Sequence, residues 1–98
     1  MRSILQKEKC CYFCGGTYAL HEHHIIYGRG RRLIAERNGF KVWLCPYHHN
    51  MSGDGVHFNK KRDLALKQEC QRKFEETHTR GRWMKLVGRN YLEVNDEV

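Results

Sequence analysis

Two short clusters carry the clearest chemistry in this sequence. Cys11 and Cys14 form a Cys-x-x-Cys pair followed by Gly15 and Gly16, and Cys45-Pro46-Tyr47-His48 repeats the two-residue spacing with an imidazole as its second donor. Two thiolates so spaced grip one tetrahedral ion, while the glycines let the backbone turn tightly around the sulfurs. One such pair alone is weak evidence, because a redox dithiol has the same spacing. The second pair opens a helix behind Pro46 and completes a Cys3His set, with thirty residues between Cys14 and Cys45, a usual arrangement for structural Zn2+. A thioredoxin-like reading lacks the strand and helix it needs around the pair. The bland alternative is a group of buried free thiols. That alternative suits the two remaining cysteines, Cys10 and Cys70. Cys10 becomes a ligand only if the register slips, and Cys70 sits on the apolar stripe of a helix.

The histidines exceed what one zinc site needs. His21, His23 and His24 precede an apolar run, His48 and His49 open a helix, and His57 lies just beyond, so six of the seven flank or fall between the zinc-site halves. If zinc pins Cys14 beside Cys45, the His23-His24 and His48-His49 doublets enter one neighbourhood. Phosphodiester hydrolysis supplies a reason for the surplus. It calls for a divalent ion to offset charge developing on the leaving oxygen, and for a neutral imidazole to take a proton from water.

At this point the sequence resembles the HNH (His-Me finger) nucleases. The resemblance rests on CYFCGG, on His23-His24 running into Ile25-Ile26, and on LCPYHHN followed by GVHFNK, covering about residues 11–58. Small prophage-type endonucleases are the nearest likeness, and RecA-dependent recombination-enhancement nucleases a more distant one. The resemblance implies an α+β fold, namely a small zinc-stabilised ββα-metal domain. Its core spans about residues 10–58, a C-terminal helical extension spans about 59–92, and the whole of 1–98 is one nuclease domain. It implies His24 as general base, with His23 a metal ligand or a group orienting the base. His49 and His57 would bind the catalytic ion, Mg2+ or Mn2+. DNA would be the substrate, and phage or host recombination or packaging proteins possible partners. Two departures matter. Many family members carry Cys-x-x-Cys in the second knuckle, so zinc and catalytic ligands could exchange among His48, His49 and His57. The central Asn of the motif falls on Asn38, or alternatively on Asn50, and an Asn-Gly pair at Asn38 is equally a plain turn.

The elements that must position these groups are legible in outline. Ile25, Ile26 and Tyr27 have strand character. A helical turn over Leu33–Arg37 precedes Asn38-Gly39, and Phe40, Val42 and Leu44 alternate with Lys41 and Trp43 as a half-buried strand. Pro46 suits the first position of a helix carrying Tyr47 to Met51 before Gly53. Asn59 is the N-cap of the longest helix, about residues 60–77, with Leu66, Cys70 and Phe74 as its apolar stripe. A last helix over Trp83–Val87 stops at Gly88. The polar lead-in over residues 1–9 and the acidic tail EVNDEV are expected to be loosely ordered. Trp43, Phe58, Phe74 and Trp83 are expected in the core, because so small a domain needs them there.

Charge points to the partner. Eighteen Lys and Arg against eleven Asp and Glu leave +7 over 98 residues, and a small basic protein is drawn to polyanions by counterion release. Arg29, Arg31 and Arg32 lie in a glycine-containing loop, read equally as a bidentate phosphate clamp or as a solvated loop. Lys60 and Lys61, with Arg62, open a helix where basic charge opposes the dipole. Arg80, Arg82, Lys85 and Arg89 could extend that surface. Little looks built for base reading, so sequence specificity should be weak. No apolar run approaches the ~20 residues of a membrane span, and the first residues lack a signal-peptide core, which together predict a cytoplasmic protein. The competing function is a non-catalytic zinc module that binds nucleic acid.

Overall fold

The computed structural model describes residues 1–92, and the acidic tail expectation lies outside them. The chain folds as a small α+β unit, a two-stranded antiparallel sheet and four helices among the described residues. Strand β1 (His21–His24) pairs with β2 (Lys41–Leu44) in the register His21↔Leu44, Glu22↔Trp43, His23↔Val42 and His24↔Lys41. Helix α1 (Arg31–Asn38) connects them, α2 (Pro46–His49) follows β2 at once, and α3 (Lys60–Glu75) and α4 (Arg80–Val87) form the C-terminal part.

The strand signal at Ile25-Ile26-Tyr27 is displaced by four residues. Regular pairing covers the histidine-rich stretch instead, and only the Ile25 amide continues it, donating to the Phe40 carbonyl at 2.8 Å. The partner strand has no further residues to offer, since Phe40 already belongs to the turn out of α1. Ile25 and Ile26 are nonetheless buried, because the chain bends there and turns both side chains into the core. The strand therefore owes its place to its partner and to the metal-site residues at its end, rather than to β propensity.

Helix α1 runs from Arg31, earlier than predicted, and ends where Gly39 adopts φ 72° and donates to the Ala35 carbonyl. A side chain at Gly39 would touch the Ile4 amide nitrogen 3.4 Å away, and the same residue's carbonyl accepts from that amide at 2.9 Å. The lead-in is thus ordered, contrary to the sequence expectation. Ile4 and Leu5 pack on the core, and the Ser3 hydroxyl donates to the Lys41 carbonyl.

Helix α2 is shorter than expected and stops at Asn50. Pro46, Asn59 and Gly88 hold the places read for them from the sequence: Pro46 occupies the first turn of α2, Asn59 accepts from the Arg62 amide at 3.0 Å, and Gly88 ends α4. Helix α4 starts earlier than predicted, for Thr79 accepts from the Arg82 amide at 3.1 Å and begins the helix three residues before Trp83. Leu66, Cys70 and Phe74 are buried as predicted, joined by Gln71. Phe40, Phe74 and Trp83 meet ring to ring at 5.1–5.6 Å beneath the sheet. Burying side chains such as Ile25, Phe40, Leu44 and Leu66 contributes about 1.5–3 kcal/mol each. Two of the four aromatics expected inside are not there. Phe58 is 67% exposed, on the turn that sets its neighbour His57 beside His49, and Trp43 is half-buried on the sheet's other face beneath the Lys9 ammonium.

Candidate metal centres and the histidine cavity

The first centre stands at the end of β2. Cys45 follows the strand as the N-cap of α2, and its carbonyl accepts from the amides of His48 and His49, so α2 begins in contact with the knuckle. The loop at Cys11 closes on itself through the Cys11 amide to the Gly16 carbonyl and the Gly15 amide to the Cys11 carbonyl, both 2.8 Å, with Gly15 at φ 76°. The Tyr12 amide ties that loop to the Trp43 carbonyl. These two attachments bring Cys14 Sγ within 3.7 Å of Cys45 Sγ. His48 Nδ1 lies 3.3 Å from Cys45 Sγ and 3.7 Å from Cys11 Sγ. Sulfurs about 2.3 Å from a tetrahedral ion stand roughly 3.8 Å apart, so the spacing fits zinc. Cys11, Cys14, Cys45 and His48 lie close together and could hold a zinc ion. Burial would push the Cys11 thiol up, but amide donors from Cys45, Cys14 and Phe13 outweigh it and hold it below the usual thiol range. Cys10 stands outside this group and Cys70 is buried in the core.

His48 therefore stands with the cysteines, and His49 and His57 stand apart from it. After α2 the chain doubles back, with the amides of Val56 and His57 donating to the carbonyls of His48 and His49. The return passes so close to α2 that a side chain at Gly55 would lie 2.7 Å from the His49 carbonyl oxygen. Only glycine fits, and its place in the turn sets His57 beside His49. The imidazole nitrogens of His49 and His57 approach to 3.1 Å (Nε2 to Nε2), and the His23 ring faces both at 5.2 and 5.4 Å between centroids. One donor nitrogen from each of the three lies within 4.8 Å of the others.

These rings line a cavity of about 260 Å³ with Glu22, His24, Tyr27 and Arg32. His23 is 3% exposed and its Nε2 has no hydrogen-bond partner among the described residues. An orphaned buried nitrogen costs about 1–3 kcal/mol, so its persistence calls for a reason. Burial, reinforced by His49 and His57, pushes His23 down to about 3, and burial with His57 and His21 pushes His49 down to about 4. Both rings are neutral at physiological pH, which is the form a metal requires.

His24 points to a different set of partners. Its Nε2 lies 2.8 Å from Glu36 Oε2, and the other oxygen of Glu36 accepts from Lys41 Nζ at 2.8 Å. Glu22 accepts from the same ammonium at 2.7 Å. Burial alone would lower Lys41, yet the hydrogen bonds to Glu22 and Glu36 outweigh it and raise it. Lys41, and after it His24, hold the Glu36 carboxyl below the usual carboxylate range. The cross-strand pairing of His24 with Lys41 and the docking of α1 create this network.

Among the other predicted residues, Arg32 lines the cavity and Arg29 is exposed nearby. Arg31 is used structurally, donating to the Val87 carbonyl at 2.7 Å and so closing the end of α4. Lys60 lines a neighbouring groove with Tyr27 and His57, and Lys61 is exposed. Neither asparagine is brought to the cavity. Asn38 donates to the Ile34 carbonyl inside its own helix, and Asn50 is exposed at the end of α2. Sequence reasoning missed Glu22, Glu36, Lys41 and His21. Pairing HEHH against KVWL would have found Lys41, whereas Glu36 depends on how α1 docks and leaves no local signal.

No protein-family model, curated protein or solved structure matches the chain. No helix among the described residues is long and apolar enough to cross a membrane.

Proposed function

We propose that this protein is an HNH-type endonuclease that hydrolyses phosphodiester bonds in DNA, with β1, β2 and α2 as its ββα-metal unit. The observation that carries the reading is the three-histidine cavity, with the buried unpartnered Nε2 of His23 at its wall and His24 beside it. A surplus of imidazole donors facing one space is what a second ion needs and what a purely structural zinc module does not. His23, His49 and His57 would hold the ion. Their all-imidazole donor set, with no carboxylate among them, fits Mn2+ or a later transition ion better than Mg2+. When bound, that ion supplies positive charge to the scissile phosphate and its leaving oxygen.

The protein's own residues account for the remaining roles. A neutral His24 that donates Nε2–H to Glu36 keeps its lone pair on Nδ1 and can take a proton from water there. Glu36 fixes the ring and its tautomer, and Lys41 fixes Glu36. Arg32, at the cavity rim, offers a guanidinium fork to the DNA backbone. The +7 charge favours polyanion binding without selecting sequence.

Supercoiled plasmid tests this directly. With Mn2+ or Mg2+ present, the wild type should nick it and His24→Ala should be slower by roughly 10²–10⁴-fold, the usual worth of a positioned general base. Equal nicking by both, or by neither across several ions, rules the mechanism out. Parallel digestion of RNA and single-stranded DNA identifies the preferred polymer.

A further inference from the structure

We propose that His21 is the positioning residue of the three-histidine centre, orienting His49 and fixing which of its nitrogens faces the ion. The proposal rests on the ion-binding half of the functional reading above, and not on cleavage. His21 Nδ1 lies 2.8 Å from His49 Nδ1, the rings meet edge to face with centroids 4.9 Å apart, and the other nitrogen of His49, Nε2, is the one 3.1 Å from His57 Nε2. A hydrogen bond between two Nδ1 atoms requires that one donates and the other accepts. If His49 Nδ1–H donates to the lone pair of His21, then His49 Nε2 carries its own lone pair toward His23 and His57. The reverse arrangement leaves a proton on Nε2, aimed at the neighbouring imidazoles where an ion would sit. Only the first arrangement makes a ligand.

Metal-binding imidazoles ordinarily donate their second ring nitrogen to a carboxylate, a carbonyl or water. Among the described residues no carboxylate belongs to the three-histidine set, although Glu22 lines the same cavity, and the partner found at His49 Nδ1 is an imidazole from the first residue of β1. The pairing of His21 with Leu44 fixes the backbone of that residue immediately before the zinc knuckle at Cys45. His21 thereby links the registration of the sheet to the aim of a side chain on α2. It is half-buried and belongs to none of the three groups of side chains, the third being Glu22, His24 and Glu36, that could hold an ion.

The test is Co2+ binding to full-length protein whose knuckle is already loaded with zinc, followed by calorimetry and visible absorption. A site of three imidazoles lacks the thiolate-to-cobalt charge-transfer band that would betray exchange into the knuckle. Asn places its Oδ1 where His21 has Nδ1, so His21→Asn should bind Co2+ within about threefold of wild type, while His21→Phe keeps the ring but no acceptor and should lose roughly 10- to 100-fold. Phe binding as tightly as wild type, or Asn as weakly as Phe, overturns the proposal. Should His21→Phe fail to fold, long-range nitrogen–proton NMR on the metal-free wild type decides it. A His49 protonated on Nδ1 supports the proposal, and one protonated on Nε2 overturns it. Wild type that takes up no cobalt beyond the knuckle removes the three-histidine centre itself, an outcome distinct from a centre that binds but ignores His21.

Discussion

Replacing Cys45 by alanine is expected to yield a chain that holds no zinc and has no cooperative thermal transition. Cys45 sits at the junction of β2 and α2, with its sulfur 3.7 Å from Cys14 Sγ and 3.3 Å from His48 Nδ1. Its side chain touches both halves of the knuckle, and its carbonyl starts the helix carrying His48 and His49. Structural zinc contributes about 10–16 kcal/mol of apparent binding free energy in small domains, whereas a whole domain is stable by about 5–15 kcal/mol. Losing one of four ligands therefore removes more than this chain can spare, because its core is thin at this length. Elemental analysis and a circular-dichroism melt read the outcome. Wild type should carry about one zinc per chain at the knuckle, and Cys10→Ala, outside the cluster, should behave like wild type. A Cys45→Ala protein that keeps its zinc and its melting curve would show that the four residues are packed thiols and a core histidine.

The contrast between the two centres explains what could be read from the sequence. The knuckle was legible because tetrahedral coordination imposes a local spacing, and Cys11, Cys14, Cys45 and His48 come together as that spacing requires. The caps at Asn59 and Gly88 are equally local, since each depends on a side chain or a φ angle within three residues of a helix end. What failed was non-local. The apolar doublet Ile25-Ile26 resembles a strand, yet the residues that pair are the polar ones before it, because β2 is short and the residue before it, Phe40, is still held in the turn out of α1. The exposure of Phe58 follows from the turn that Gly55 permits against α2, and neither residue announces that approach. Asn38 had the right type near the right place, but a helix end claims its amide before any cavity can. The Lys41 network required three separate segments to meet, so only its cross-strand part was available from pattern.

Substituting His23 by leucine is expected to make the ion-free protein more stable while abolishing its response to a second ion. His23 pairs opposite Val42 on the inward side of β1 and is almost fully buried, with no partner for Nε2 among the described residues. Leucine has a similar volume and leaves no polar atom unsatisfied, so zinc-loaded His23→Leu should gain about 1–2 kcal/mol, which is roughly 4–8 °C in Tm per kcal/mol for a chain of this size. Acid should widen the gap. The folded state keeps His23 neutral down to about pH 3, whereas the unfolded chain takes up a proton below its ordinary value of 6.5. Between those limits the unfolded state binds more protons, so wild-type stability falls as the pH falls, by about 1.4 kcal/mol per unit well below 6.5. The leucine variant lacks that contribution, and its advantage should grow by about 1.4 kcal/mol from pH 7.5 to 5.5. The knuckle thiolates also acidify the unfolding of both proteins, and they cancel in the difference. Adding Mn2+ at about a hundred times its Kd should then reverse the order at neutral pH, stabilising wild type by about 2.7 kcal/mol and the variant not at all. Urea melts at the two pH values, with and without Mn2+, measure all three effects. A histidine kept for packing would show the opposite pattern, with leucine destabilising and manganese indifferent to the change. A protein that holds an unsatisfied ring in its core at this cost, and recovers it only when a cation arrives, is keeping that ring for the cation.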